Sequence, residues 1–283
     1  MKPRTKVPNV EGAVTRWPSS VPEGDTIFRT AGTLRRWVEG REVTAARGAG
    51  LERVVGATVA AIDTRGKHLL IRFSSGLVLH THMRMTGSWH VYPRGGRWQR
   101  PATQARAVLE CGERIAVCFN APVVELLAAH QERVHPGLAH LGPDVLDDGF
   151  DLDEVVRRAA TRPAAMVVGE LLLDQGVLAG LGNVYRCEAL FLQGLDPAMP
   201  RRSLNEEQLR VLVTVARDLI RANAGPGTTF RRDVGLGPER ALVYGRPGRP
   251  CRRCGTTIRS APLGVQARTV HWCPSCQRAA RPG

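Results

Sequence analysis

No stretch of about 18 consecutive apolar residues occurs in the 283-residue chain, which excludes a membrane-spanning helix of ordinary length. The first twenty residues are polar and proline-containing. They lack the apolar stretch of a secretion signal, so a cytoplasmic protein is expected. No internal repeat is visible. Lysine is almost missing: the 40 basic residues comprise 37 arginines and only Lys2, Lys6 and Lys67. A GC-rich genome favours arginine codons, yet an arginine cannot give up its proton at working pH and a lysine can. Lys67, the one lysine after Pro22, therefore marks a position where arginine would fail, unless it is simply a survivor of drift.

What is present points to a polyanion. The formal net charge is +14, and an excess of that size in a folded, non-repetitive chain is the usual footprint of nucleic-acid binding. Hydrophobic residues make up 43%, enough for a real core in a globular protein. Of seven cysteines, Cys111, Cys118 and Cys187 lie in apolar, scattered settings and read as buried thiols. The other four form Cys251-x-x-Cys254 and Cys273-x-x-Cys276, separated by eighteen residues. Two such knuckles complete a tetrahedral four-thiolate site, and one structural Zn²⁺ is the expected ion. The segment is too small and polar to fold on a core of its own, so a metal would supply the missing stability. Disulfides compete with this reading.

Along the chain, Ile27, Ala31, Leu34 and Val38 recur at helical spacing, which predicts a helix from Glu23 to Val38 ended by Gly40. Short strands follow. His68 to Phe73 and Leu77 to His82 flank Ser74-Ser-Gly76, and Ala105 to Leu109 and Arg114 to Phe119 flank Cys111-Gly-Glu113. Both read as hairpins in a sandwich. After Gly142-Pro-Asp144 the pattern predicts helices over Asp151 to Ala160, Ala164 to Asp174, Asn183 to Leu192 and Asn205 to Asn223. The expected architecture is a multidomain α+β protein: residues 22–145 as a β-sandwich with a leading helix, 146–240 as a helical domain and 241–278 as a zinc-ribbon hairpin.

Five segments in this order resemble the formamidopyrimidine-DNA glycosylase and endonuclease VIII family. Pro22-Glu-Gly-Asp25 is similar to its mature amino terminus. Thr64-Arg-Gly-Lys67-His68 is similar to its β-hairpin lysine motif. Leu172-Leu-Asp-Gln-Gly176 and Ala179-Gly-Leu-Gly-Asn-Val-Tyr185 are similar to its helix–two-turns–helix segment. Cys251 to Cys276, with Ala267-Arg268 between the knuckles, is similar to its zinc finger. The start is closer to the endonuclease VIII branch, and Thr26 stands where members commonly carry a second glutamate.

The resemblance implies a bifunctional enzyme of base excision repair acting on damaged double-stranded DNA. It would release oxidised bases, pyrimidines by preference, and cut the strand by β,δ-elimination. Pro22 would be the nucleophile through its amine, Glu23 the general acid–base group, Lys67 a phosphate contact that also assists the transition state, and Arg268 the grip on the flanking phosphate. Asn183 would bind phosphate, with Arg84 beside it in contacting DNA, and Met85 would fill the void left by the extruded base. There are plainer readings: Pro22 and Glu23 as ordinary first-turn helix residues, Gly182-Asn183 as a helix-capping pair, Arg268 as one of many phosphate-attracting arginines, Met85 as core. A monomer in the bacterial cytoplasm, held to the nucleoid through DNA, is expected. Residues 1–21 are expected to lie outside the active enzyme, because Val21 stands where the family has its initiator and a valine codon can start translation; a leader removed by proteolysis is the alternative. A non-catalytic zinc-ribbon DNA-binding protein is the competing class.

Overall fold

The computed structural model describes residues 22–225 and 241–278; the expectation for residues 1–21 lies outside them. Helix α1 (Gly24–Val38) opens the described chain. Its apolar stripe of Ile27, Ala31, Leu34 and Val38 is wholly buried, as the 3.6-residue period demands. It lies against a sandwich of two four-stranded sheets. One contains β1 (Ala45–Arg47), β5 (Ser88–Pro93), β6 (Ala105–Cys111) and β7 (Arg114–Phe119), in the order β1-β6-β7-β5. The other runs β2-β3-β4-β8, from β2 (Val59–Arg65), β3 (His68–Phe73), β4 (Leu77–His82) and β8 (Val123–Ala128). All pairings within these sheets are antiparallel, and both expected hairpins are present.

The two-residue period of a strand sends alternate side chains to opposite faces, and β3 uses both. Leu69, Ile71 and Phe73 enter the core between the sheets. Leu70, with Val78 of β4, faces outward and is covered by Leu138, Leu141 and Ala179. That second apolar patch docks the sandwich on the helical half.

The helical half holds α2 (Leu152–Ala160), α3 (Val168–Leu171), α4 (Asn183–Leu192) and α5 (Glu206–Ala222) around a separate core that includes Val155, Leu171, Leu190, Leu212 and Val213. Asp151 caps α2 by accepting from the Glu154 amide at 2.8 Å. Asn205 and Gln208 cap α5 reciprocally, at 2.8 and 3.0 Å, satisfying amides that a helix start leaves unpaired. The helix expected over Ala164 to Asp174 shrinks to one turn, Val168–Leu171. Helix propagation needs the Ala164 and Met166 carbonyls to accept from residues four places on. Here they accept from the Arg202 and Arg201 amides instead, at 3.0 and 2.7 Å, so tertiary pairing with residues 197–202 holds that stretch open.

Strands β9 (Arg259–Leu263) and β10 (Arg268–Trp272) form the C-terminal hairpin. Its apolar side chains, Ile258 and Val270, share a cluster with Cys187 and Phe191 of α4 and with Leu242 and Val243. The hairpin borrows its core.

Candidate active site in the interdomain cleft

A cleft of about 840 Å³ is lined by the sandwich, the helical half and the cysteine hairpin together. Pro22, Glu23, Lys67, Arg84, Met85, Asn183 and Arg268 all line it, so the structure gathers residues separated by up to 246 positions in sequence (Pro22 to Arg268).

Glu23 is the N-cap residue of α1 rather than a residue of its first turn. Its side chain is 1% exposed, and Oε1 accepts from the Val184 amide at 2.9 Å, at the positive end of α4. An amide at a helix start is a natural partner for an anion. The fit depends on Gly182: a Cβ there would lie 2.2 Å from the Glu23 Cδ. A neighbouring glycine, Gly180, has φ +92° and its carbonyl accepts from the Gly24 amide at 2.9 Å. The glycines of Ala179-Gly-Leu-Gly-Asn-Val-Tyr185 therefore let the helical backbone approach the start of α1. Gln175 staples the same two turns, donating to the Leu173 and Leu181 carbonyls at 3.0 Å each and accepting from the Gly180 amide at 3.1 Å.

Lys67 sits in the tight turn between β2 and β3, where Arg65 pairs with His68. Asp144 fixes that turn from the helical half: its Oδ2 accepts from the Gly66 amide at 2.6 Å and its Oδ1 from the Leu146 amide at 3.0 Å. Burial pushes the Asp144 carboxyl above the usual range, against the pull of these two amides. The sequence pattern showed Asp144 only as a turn residue.

Met83 and Met85, on either side of Arg84, differ sharply in burial. Met83 is core and Met85 is 63% exposed, which removes the reading of Met85 as core. Arg84 adopts φ +43°, in the left-handed region that costs a non-glycine residue energy, and its amide donates to His82 Nδ1 at 3.1 Å. In a neutral imidazole that leaves the hydrogen on Nε2, a donor. Burial, together with the Lys67 and Arg84 charges, pushes His82 down to about 4, so the neutral ring prevails at physiological pH.

Gly182 is the N-cap of α4 and Asn183 its first residue. Its Nδ2 donates to the Thr269 carbonyl at 2.8 Å, and its Oδ1 accepts a short hydrogen bond from Arg186. Arg186 is fully buried; it also donates to the Thr269 and Gly169 carbonyls at 3.0 and 3.3 Å. Together they clamp β10, hence Arg268, to the start of α4. Glu170 of α3 holds the hairpin tip by accepting from the Val265 amide at 2.9 Å. Glu188, also fully buried, accepts from the Leu242, Val243 and Tyr244 amides at 2.8, 3.1 and 2.8 Å. Arg186 and Glu188 were absent from the expected site. Two charges within the largely apolar run of α4 were the signal, since charges are buried only when they have partners.

Cys251, Cys254, Cys273 and Cys276 lie with their sulfurs within 4.8 Å of one another. The Cys251–Cys276 and Cys254–Cys273 separations are 3.9 and 3.5 Å. Disulfide sulfurs would be about 2.05 Å apart, while sulfurs about 2.3 Å from a tetrahedral ion are about 3.8 Å apart. The cluster fits one metal ion. Cys111, Cys118 and Cys187 are buried, as expected, and burial pushes the Cys111 and Cys187 thiols up to about 11.

Two family models match the chain: the formamidopyrimidine-DNA glycosylase N-terminal domain over residues 21–122 and the formamidopyrimidine-DNA glycosylase H2TH domain over residues 141–231. The chain is similar to the protein named endonuclease 8 2 of Mycobacterium tuberculosis, at 37% identity over 91% of this chain and 100% of that one. It is likewise similar to a protein of Mycolicibacterium smegmatis named a DNA-(apurinic or apyrimidinic site) lyase, at 35% identity over 92% and 100%. Among solved structures, the MutM (Fpg) protein of Thermus thermophilus matches with a TM-score of 0.73 and 30% identity, over 92% of this chain and 100% of that one.

Proposed function

The chain belongs to the formamidopyrimidine-DNA glycosylase and endonuclease VIII family, and on that premise we propose a DNA glycosylase and abasic-site lyase of base excision repair whose reacting groups are those gathered in the cleft. The observation that carries this reading is the convergence of Pro22, the buried Glu23, Lys67 and Arg268 on one cavity.

A glycosidic bond is shielded inside a duplex, so the damaged nucleotide is first extruded. Met85, exposed on its loop, enters the vacated stack, as apolar wedges do. Pro22 is the nucleophile. Within a longer chain its nitrogen is a planar amide with a delocalised lone pair, so the active form begins at Pro22. A free α-amine titrates near about 8 and is partly unprotonated at neutral pH. That nitrogen bonds to C1′ of the sugar as the C1′–base bond breaks. Glu23 moves protons between the leaving base and the sugar ring oxygen, and the sugar opens to an iminium. The iminium acidifies the C2′ proton; its loss expels the 3′ phosphate, a second elimination expels the 5′ phosphate, and water returns the amine. Lys67 contacts a phosphate and assists the transition state, with Arg84 and Asn183 as further DNA contacts. Arg268 grips the flanking phosphate. Cys251, Cys254, Cys273 and Cys276 would hold a structural zinc ion, which would supply a rigid node under the Arg268 hairpin.

The amino-terminal Pro-Glu-Gly-Asp supports the endonuclease VIII branch and oxidised pyrimidines as substrates, with the protein acting as a cytoplasmic monomer on the nucleoid. Among the described residues no helix is long and apolar enough to cross a membrane.

Borohydride reduction tests the reading, because it freezes a Schiff base only after an amine has attacked the sugar. A form beginning at Pro22 should give a covalent adduct with abasic-site DNA, and one beginning at Met1 should not. Equal trapping by both would show that Pro22 is not the nucleophile. No trapping by either would leave a non-catalytic DNA-binding protein.

A further inference from the structure

Five of the eight histidines, His68, His80, His82, His135 and His140, line the cleft, and the proposed repair chemistry uses none of the ones around Glu125. We propose that His80, Glu125 and His135 form a second metal site, for a divalent transition ion of the Zn²⁺, Co²⁺ or Ni²⁺ kind, separate from the cysteine cluster.

The fold assembles the three ligands from different elements. His80 of β4 lies directly across from Glu125 of β8 in the strand register, on the sheet's outer face. His135 comes from the segment that joins the sandwich to the helical half. One ligand atom from each lies within 4.8 Å of the others. A single Glu125 oxygen is 3.2 Å from His80 Nδ1 and 2.9 Å from His135 Nε2. Ligands about 2.0–2.1 Å from a tetrahedral ion stand about 3.3 Å apart, so the 3.2 Å edge already matches and the 2.9 Å edge needs to open by about 0.4 Å.

The donor set selects the ion. Two imidazoles and one carboxylate suit zinc-like ions; calcium and magnesium prefer all-oxygen shells, and Cu⁺ prefers sulfur. An outer partner is also in place. A ligating histidine ordinarily gives its other ring N–H to an acceptor, and His80 Nε2 lies 2.8 Å from His68 Nδ1. One adjustment is needed: His135 Nδ1 now accepts from the Gly137 amide at 3.0 Å. Metal at Nε2 moves the ring proton to Nδ1, and the Gly137 amide turns away, a motion that a glycine in a loop allows.

Attachment of the joining segment is a weaker account of the cluster. Arg72 already ties it to the sheet, donating to both Glu132 oxygens at 2.6 and 3.0 Å and to Asp63 at 2.6 Å. Three protein ligands leave a fourth position for water or a phosphate oxygen, the pattern of an open rather than a closed site; all three ligands line the cleft.

The test uses untagged full-length protein with its cysteine cluster loaded with zinc, titrated with Co²⁺. Expected are one further bound equivalent by metal analysis and visible ligand-field bands without the intense near-ultraviolet thiolate band. Glu125→Gln and His135→Asn should each weaken that equivalent about tenfold or more, with zinc at the cysteines retained as evidence of folding. The proposal is overturned if no second equivalent binds, if its spectrum carries the thiolate band, or if both variants bind it like the parent. None of these readouts depends on the repair activity.

Discussion

The sandwich and the cysteine hairpin both send side chains into the same cleft, but they are held in different ways. The sandwich positions Lys67 on a scaffold with its own extensive core, in which Leu69, Ile71, Leu79, Trp89 and Leu109 are essentially inaccessible. The hairpin positions Arg268 on two five-residue strands, with an apolar cluster that it completes only with residues of α4. A self-sufficient scaffold keeps its geometry through distributed packing, so single changes act locally. A borrowed core depends on a few nodes: the four clustered cysteines, Arg186 and Glu188.

The largest effect that separates the two regions should follow metal removal. Structural zinc contributes about 10–16 kcal/mol in isolated finger peptides, more than a borrowed core of this size can replace. Chelation should abolish strand cleavage and release Arg268, while the sandwich keeps its strand signal by circular dichroism and its own unfolding transition. Loss of both together would show that the sandwich depends on the hairpin. Freshly purified, reduced protein should hold about one zinc in the four-cysteine site.

Next in size is Gly182→Ala. Its Cβ would lie 2.2 Å from the Glu23 Cδ, so either α4 or Glu23 has to shift. Misplacement by about 1 Å can cost about a hundredfold in rate, whereas overpacking of this kind costs about 1–3 kcal/mol in stability. Base excision should drop by that factor with DNA binding largely kept. Wild-type excision in this variant would mean that the buried Glu23 carboxylate is not in its working position.

Lys67→Arg sharpens the sandwich side of the comparison. The charge remains, so DNA affinity should stay within about threefold and the salt dependence should be unchanged. Proton chemistry does not remain, and base excision should fall by about tenfold or more, within the range typical for general acid–base groups. Unchanged excision would reduce Lys67 to a phosphate contact.

The smallest effect is expected for Met85→Ala. An exposed side chain contributes little to folding, and stability should move by no more than about 0.5 kcal/mol. Excision from duplex DNA should slow, while cleavage at an unpaired, already extruded site should change less; equal slowing on both would argue against a wedge.

Periodicity, spacing and residue type determined much of this protein in advance. The α1 stripe, both hairpins and the paired C-x-x-C knuckles were legible because each signal is local: a helix period, a turn, a metal spacing. Lys67 stood out as an unusual lysine, while Glu23, Met85 and Arg268 became candidates only through the resemblance of their motifs to a known family. Only tertiary structure decided that Ala164 to Val167 is not helical, because the Arg201 and Arg202 amides that take its carbonyls lie about 35 residues away. The same holds for Asp144 under the Lys67 turn, for Arg186 and Asn183 beneath β10, for the Gly182 cradle around Glu23, and for the meeting of His80 with Glu125 and His135. A buried charge or a glycine in close contact is defined by the partner that desolvates or crowds it, and that partner comes from another element of the fold.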